Sequence, residues 1–172
     1  MLETTVAIPG AVPLSQSAGV TLRELRLSDL RKLAWWYNHT VPPEARYYRY
    51  RGVPDMHLRL LKLAGRDSCH RAILSNGRLV GYCRWNDHME AFIFIGRPEY
   101  RGRGIGTKAM RHLLYEFKRA GRWCMTAKTA RPDFWFKLGF RELAHDWRLT
   151  DEDKALGRIM LLLDRRQHHG NG

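Results

Sequence analysis

The segment "AFIFIGRPEYRGRGIGTKAMRHL", residues 91–113, joins an apolar run to a helical pattern through a bend rich in glycine and arginine. Residues 91–95 are continuously apolar, which is typical of a strand in the centre of a sheet. From Ile105 onward the apolar residues recur at helical spacing. Three glycines alternate with two arginines over residues 101–106. Because a helix N-terminus with outward backbone N–H groups attracts anions, this bend predicts a phosphate site, and the arginines favour a pyrophosphate.

Length and composition predict one globular domain. The chain has 172 residues, of which 44% are hydrophobic, enough for a single core. We expect a loose N-terminal arm over residues 1–19, a domain over residues 20–164 and a tail over residues 165–172. No apolar run reaches the length of a membrane span, and the first residues lack the pattern of a signal peptide. The expected location is therefore the cytoplasm, without membrane contact.

The cysteines predict neither disulfides nor a metal site. Cys69, Cys83 and Cys124 are odd in number and widely spaced, and no pattern such as C-x-x-C is present. We expect reduced thiols in or near the core. No metal is expected.

The charge favours anionic partners. Thirty Lys and Arg residues stand against 17 Asp and Glu residues, which gives a net charge of +13. Such a positive field attracts a nucleotide cofactor, RNA, DNA or a ribosomal surface. It disfavours a strongly cationic substrate such as a polyamine, unless a local acidic pocket overrides it.

The hydrophobic pattern predicts alternating strands and helices, with Ser28 and Asp29 as capping residues of the first helix. A hairpin is expected at Asn76-Gly77, a strong two-residue turn signal. This order predicts an α/β fold, a mixed sheet with helices packed on it. The predicted elements are a strand at 20–27, helices at 29–39 and 55–65, hairpin strands within 71–85, a strand at 88–96, a helix at 105–121, a strand at 122–129, a short helix at 131–139, and closing strands in "FRELAHDWRLT" and "GRIMLLLD" joined by the polar "DEDKAL".

Two segments resemble motifs of the GNAT N-acyltransferase superfamily. Residues 101–106, "RGRGIG", match R/Q-x-x-G-x-G/A, the acetyl-CoA pyrophosphate loop of that family. Residues 134–142, "FWFKLGFRE", resemble its "FYEKLGF" segment. The resemblance covers roughly residues 20–164. It implies a mixed, mostly antiparallel sheet of about seven strands with helices on both faces, and transfer of an acetyl group from acetyl-CoA to a primary amine in a ternary complex.

The resemblance also implies the contacts of acetyl-CoA. Phe94, Ile95 and Gly96 would pair their backbone with the pantetheine arm, because the sheets of this family splay apart there. The loop would hold the pyrophosphate through backbone N–H groups and basic side chains; its residues are Arg101, Gly102, Arg103, Gly104, Ile105, Gly106 and Thr107.

Acid–base catalysis has several candidates. Glu90 lies eleven residues before the arginine that opens the loop, the position of the catalytic glutamate in the histone-acetylating branch of the family. His88 is the competing base, because an imidazole titrates near neutral pH. Many members have a tyrosine acid where this chain has Trp135. Tyr48, in the loop after the first helix, is a replacement candidate.

The acceptor stays open between three interpretations. The first is a primary amine on a small molecule or protein. The second is a nucleic-acid or ribosome-associated substrate, favoured by the charge and by the aromatic and basic loop at residues 35–52. The third is an antibiotic or metabolite, for which the acidic candidates are "NDHME" (86–90) and "DEDK" (151–154). Both a monomer and a homodimer are compatible with the sequence.

Overall fold

The computed structural model describes residues 19–43, 46, 49–63, 67–143 and 148–164. Residues 1–18 of the predicted arm, the tail from residue 165 and Tyr48 therefore lie outside the described residues. The elements in chain order are β1 (Val20–Glu24), α1 (Leu27–Thr40), α2 (Val53–Leu63), β2 (Cys69–Ser75), β3 (Arg78–Trp85), β4 (Ala91–Ile95), α3 (Ile105–Arg119), β5 (Cys124–Thr129), α4 (Pro132–Phe136), β6 (Arg141–Glu142), α5 (Asp151–Ala155) and β7 (Ile159–Asp164).

The strands form two antiparallel sheets, which corrects the expectation of one sheet of about seven strands. The first sheet has the order β1-β2-β3-β4, and the second has the order β5-β7-β6. A single parallel bridge between Glu90 and Thr126 joins them. There the N–H of Thr126 donates to the carbonyl of Met89 over 2.8 Å. The predicted continuous sheet is interrupted because β4 and β5 diverge after this one bridge.

Two apolar cores cover opposite faces of the first sheet. Helix α3 buries the predicted stripe on one face, and α1 and α2 pack on the other, against Tyr82 and Phe94. The apolar residues that recur at helical spacing from Ile105 onward are buried in α3, which confirms the predicted helical period: Ile105, Met110, Leu113, Leu114 and Phe117.

Helix α1 begins earlier than predicted, and neither Ser28 nor Asp29 is its N-cap. Arg26 occupies that position. The Asp29 carboxylate instead accepts the backbone N–H of Arg26 over 2.9 Å. It also accepts two hydrogen bonds, of 2.7 and 2.8 Å, from the guanidinium of Arg23 at the end of β1. This bidentate pair fixes the turn from strand to helix, and β1 consequently ends at Glu24 rather than at residue 27.

The hairpin prediction is confirmed. Asn76 and Gly77 have φ values of 49° and 75°, and positive φ at both central residues is what a type I′ turn requires. Strands β2 and β3 pair antiparallel on either side of it.

Both Cys69 and Cys83 are buried, and all three cysteines are free.

The C-terminal region differs from the prediction. "DEDKAL" contains the short helix α5, because Thr150 and Asp153 form a reciprocal capping box. Only Arg141–Glu142 of the predicted strand "FRELAHDWRLT" pairs with β7, and residues 144–147 lie outside the described part. None of the helices that the structure describes combines the length and apolarity needed to cross a bilayer.

The carboxylate of Asp153, in α5, bonds to residues of β5 and of the segment just before β7. Its Oδ2 atom lies 2.7 Å from Nζ of Lys128, and its Oδ1 atom lies 2.9 Å from a guanidinium nitrogen of Arg158. Asp153 is only 4% exposed. Burial alone would raise its pKa, but hydrogen bonds from Lys128, Thr150 and Arg158 hold the pKa well below its usual range. The carboxylate is therefore ionised at neutral pH, and its contribution to stability is lost only in strong acid.

We expect Asp153→Asn to lower the free energy of unfolding by about 3–5 kcal/mol, because two cations lose a buried partner. Urea denaturation measures this change. Asp151→Asn is the matched control, since Asp151 is fully exposed and meets Lys154 only at 3.7 Å. Equal losses for the two variants would contradict the role given to Asp153.

Candidate active site

A cleft of about 290 Å³ opens where β4 and β5 diverge. Its closed end is the bridge between Glu90 and Thr126. Beyond the bridge the walls are β4 on one side and the end of β5 with α4 on the other. Gly106, in the first turn of α3, also lines the cleft. The cleft therefore reaches from the bridge to the glycine turn that the sequence singles out.

The hydrogen-bond register of β4 decides which backbone groups face the cleft. Across the ladder with β3, the N–H of Asn86 donates to the carbonyl of Glu90 over 3.2 Å, and the N–H of Gly96 donates to the carbonyl of Val80 over 2.8 Å. Bonded pairs alternate along an antiparallel ladder. The backbone groups of Phe94 consequently point toward β3, and those of Ile93 point into the cleft.

This register corrects the expected pantetheine contacts. Phe94 and Gly96 use their backbone N–H groups within the first sheet, so neither offers the free pairing group that the sequence interpretation requires. Ile95 lies on the open side of β4, although its carbonyl accepts Nε–H of Arg101 over 2.8 Å. Ile93 presents its backbone groups to the cleft instead, and sequence reasoning did not single it out. Alternation of the bonded pairs, counted from the pair of Asn86 and Glu90 before β4, is the signal that identifies it.

The glycine turn presents a series of backbone N–H groups. Gly102 and Gly104 have φ values of 72° and 74°, which favour glycine. Gly104 is the N-cap of α3 and provides no side-chain cap. Backbone hydrogen bonding ends with the N–H of Arg101 and resumes with that of Lys108. Within the described part of the chain, the amides of residues 102–107 donate to no acceptor, so they are available to an anion.

The side chain of Arg101 binds the protein itself. Its Nε–H donates to Ile95, and its terminal nitrogens donate to the carbonyl and the hydroxyl of Thr40 over 2.7 and 2.8 Å. Burial, followed by the nearby charge of Arg131, lowers the pKa of Arg101. Arg101 is expected from the sequence to surround an anion. In the structure its guanidinium N–H groups bond instead to Thr40 at the C-terminus of α1 and to Ile95 at the end of β4.

Gly96 allows this close approach of α1. The Thr40 hydroxyl lies 2.7 Å from the Gly96 carbonyl. A Cβ atom at residue 96 would overlap the ring of Trp36. The absence of a side chain is therefore a packing requirement, and it positions the loop after α1 beside the cleft.

The described lining residues carry four cations and no carboxylate. The cations are Arg101, Lys128, Arg131 and Arg158. Glu90 lies half-buried at the bridge, next to the lining residue Ala91, and His88 is exposed in the preceding turn. Trp135 lines the cleft but is buried between Phe134 and Phe140, at ring distances of 5.2 and 5.0 Å. Its indole has no transferable proton in the neutral range.

The arrangement suits an elongated ligand with an anionic end. The amides of the glycine turn would bind the anion, and the open edge of β4 would pair with amide groups in an extended arm. The reactive end would then lie toward the bridge, near Glu90.

Comparison with known proteins agrees with this geometry. Residues 66–142 match the family model described as "Acetyltransferase (GNAT) domain". No curated protein is similar enough in sequence to count as a match.

Solved structures with the same fold include several acetyltransferases. An aminoglycoside acetyltransferase, AAC(6')-Ib, in complex with coenzyme A has a TM-score of 0.67 and 19% identity, and the match covers 85% of this chain and 95% of that one. Spermidine N-acetyltransferase from Vibrio cholerae, in complex with CoA and spermine, has a TM-score of 0.65 and 18% identity, with coverage of 85% and 95%. The ribosomal-protein-S18-alanine N-acetyltransferase from Escherichia coli has a TM-score of 0.58 and 18% identity, with coverage of 84% and 93%. At such identities the similarity establishes the fold.

We expect Gly96→Ala to destabilise the protein by about 1–3 kcal/mol, because the added methyl group overpacks the contact with Trp36. Thermal or urea unfolding measures the change. The same substitution in a Trp36→Leu background should cost less, since the ring that it meets is gone and only the Cβ atom of residue 36, at 2.8 Å, remains. Equal costs in the two backgrounds would show that Trp36 is not the constraint.

Proposed function

We propose that the chain is a GNAT acetyltransferase that transfers an acetyl group from acetyl-CoA to a primary amine, since residues 66–142 match the domain model of that family. The observation that carries the proposal is the run of free amides at residues 102–107, of which Gly106 lines the β4–β5 cleft. These amides would hold the pyrophosphate. The arm would run along β4 and pair with Ile93, which brings the thioester to the bridge.

The glycine turn offers a sharp test of this donor site. Gly106→Asp places a carboxylate at the first turn of α3, whereas Gly106→Asn adds a side chain of the same size without the charge. We expect Gly106→Asp to bind acetyl-CoA roughly tenfold or more weakly than Gly106→Asn, because the carboxylate repels the pyrophosphate. Isothermal titration measures both affinities. Equal affinities would contradict binding of the diphosphate at this turn.

The reaction that we propose is direct attack by the amine. The nitrogen forms a bond to the thioester carbonyl carbon, the C–S bond breaks, and the thiolate of CoA leaves. An alkylammonium with a pKa of about 10 must first lose a proton. We propose Glu90 as the base, because it lies at the bridge and strand alternation places it on the same face as the lining residues Phe92 and Phe94.

The departing thiolate has no assigned proton donor. Trp135 cannot serve, and Tyr48, the sequence candidate, lies outside the described residues. Protonation by water after departure is sufficient for a thiolate leaving group. The proposal therefore assigns one proton transfer to the protein, from the ammonium to Glu90.

We expect Glu90→Gln to lower kcat by about 10²–10⁴-fold at neutral pH, the usual contribution of a general base. The difference in kcat between Glu90→Gln and the native protein should become smaller as the pH rises, because a growing fraction of the amine is already neutral. Release of the CoA thiol, followed across pH with a saturating amine, measures this dependence. His88→Gln is the control and should retain the activity of the native protein. A Glu90→Gln variant with full activity at all pH values would exclude Glu90 as the base.

A nucleic-acid acceptor remains a prediction from the charge of +13. A cationic antibiotic acceptor receives no support from "DEDK", because its buried Asp153 is already bonded to Lys128 and Arg158, and the exposed Asp151 and Glu152 do not line the cleft.

A further inference from the structure

Two cations line the cleft on the face where the acceptor would enter. Along β5, Met125 and Ala127 belong to the core under α3, so alternation directs Lys128 to the opposite face. Arg158 precedes β7 and is directed to the same face. Its guanidinium donates to the carbonyl of Arg46, in the segment that follows α1.

Both cations are bonded to the carboxylate of Asp153, which lies outside the cleft lining. Asp153 accepts from both Lys128 and Arg158, yet it does not itself line the cleft, whereas both cations do. The ion pair between Arg158 and Asp153 is nearly buried, because each side chain is about 5% exposed. Lys128 and Arg158 therefore give the β5 side of the cleft a preorganised positive surface next to the proposed reaction centre.

The opposite charge lies at the bridge. Glu90 pairs with Thr126, which is two residues before Lys128 on β5. Two residues of strand rise separate the positions by about 7 Å. The acceptor face thus places a carboxylate where an ammonium would lose its proton, and cations roughly 7 Å away along the strand.

We propose that the acceptor carries an oxyanion, a carboxylate or a phosphate, in addition to its primary amine. This inference rests on the proposed function and names the class of its second substrate. The amine enters at Glu90, and the oxyanion binds Lys128 with support from Arg158. A polycation has no group for this wall and meets like charges there, so polyamines and aminoglycosides are poor acceptors.

The test is a matched panel of amines. CoA thiol release is measured with ω-amino acids from glycine to 6-aminohexanoate and with the corresponding alkylamines, which lack only the carboxylate. O-phosphoethanolamine against ethanolamine distinguishes phosphate from carboxylate, and spermidine represents the polycations. We expect kcat/KM for the best anionic acceptor to exceed that of its uncharged counterpart at least tenfold, about the effect of one charged hydrogen bond. Equal values, or a preference for spermidine, would overturn the proposal.

Lys128→Gln tests the residue directly. The substitution keeps a hydrogen-bonding side chain and should reduce the preference for the anionic acceptor about tenfold. Lys154→Gln removes the same charge from an exposed position and should leave the preference as in the native chain. Lys128→Arg should restore most of it. An unchanged preference in folded Lys128→Gln would refute the assignment.

A binding measurement separates this inference from the proposed function. With CoA saturating, isothermal titration compares N-acetyl-6-aminohexanoate with N-hexylacetamide, which lacks the carboxylate. If no amine is acetylated but the anionic ligand binds at least tenfold more tightly, and Lys128→Gln abolishes that difference, the proposed reaction fails and the anion subsite stands. If the two ligands bind equally, the anion subsite fails whatever the catalytic result.

Discussion

The divergence of β4 and β5 after one hydrogen-bonded bridge is the constraint on which the site depends. Had the two strands continued to pair, the second sheet would simply extend the first, and the backbone of β4 would be satisfied on both edges. Because they separate beyond Glu90 and Thr126, one edge of β4 keeps its pairing groups toward a cleft. The glycine turn at the start of α3 lies at the open end of that cleft, so a gap in the sheet and a row of free amides form one continuous surface.

The two walls of the cleft are held by different interactions. On the β4 side, Arg101 and Thr40 bond the end of α1 to the strand, and the bare backbone of Gly96 admits Trp36. On the β5 side, Asp153 gathers Lys128 and Arg158 in a nearly buried ion pair. Both clamps use charged groups whose hydrogen bonds are satisfied internally, as burial of a charge requires. The same groups give the cleft its positive lining, so stability and the proposed ligand preference rest on one set of residues.

The sequence was sufficient for the local features and insufficient for the join between the sheets. The Asn76-Gly77 turn, the buried stripe of α3 and the short helix after Pro132 all follow from local chemistry, and the structure confirms them. The separation of the two sheets does not follow from local chemistry, because an apolar strand has the same residue pattern whether one of its edges is paired or both are.

Two residue assignments also depended on tertiary contacts. The glycines at 102 and 104 could be recognised from their spacing, but the internal role of Arg101 appears only when Thr40, sixty-one positions earlier, is seen beside it. Similarly, the sequence presents "DEDK" as an acidic segment, but Asp153 within it is bonded to Lys128 and is not available to a ligand. Long-range pairing of charges leaves no periodic pattern in the sequence.

Amide hydrogen exchange, resolved by residue and measured with and without acetyl-CoA, tests whether the donor binds between β4 and β5. We expect the ligand to protect the amide of Ile93 and the amides of residues 102–107, while the amide of Phe94, already bonded to β3, changes little. Protection of Phe94 without Ile93, or no change in the glycine turn, would contradict binding of the donor between the separated strands.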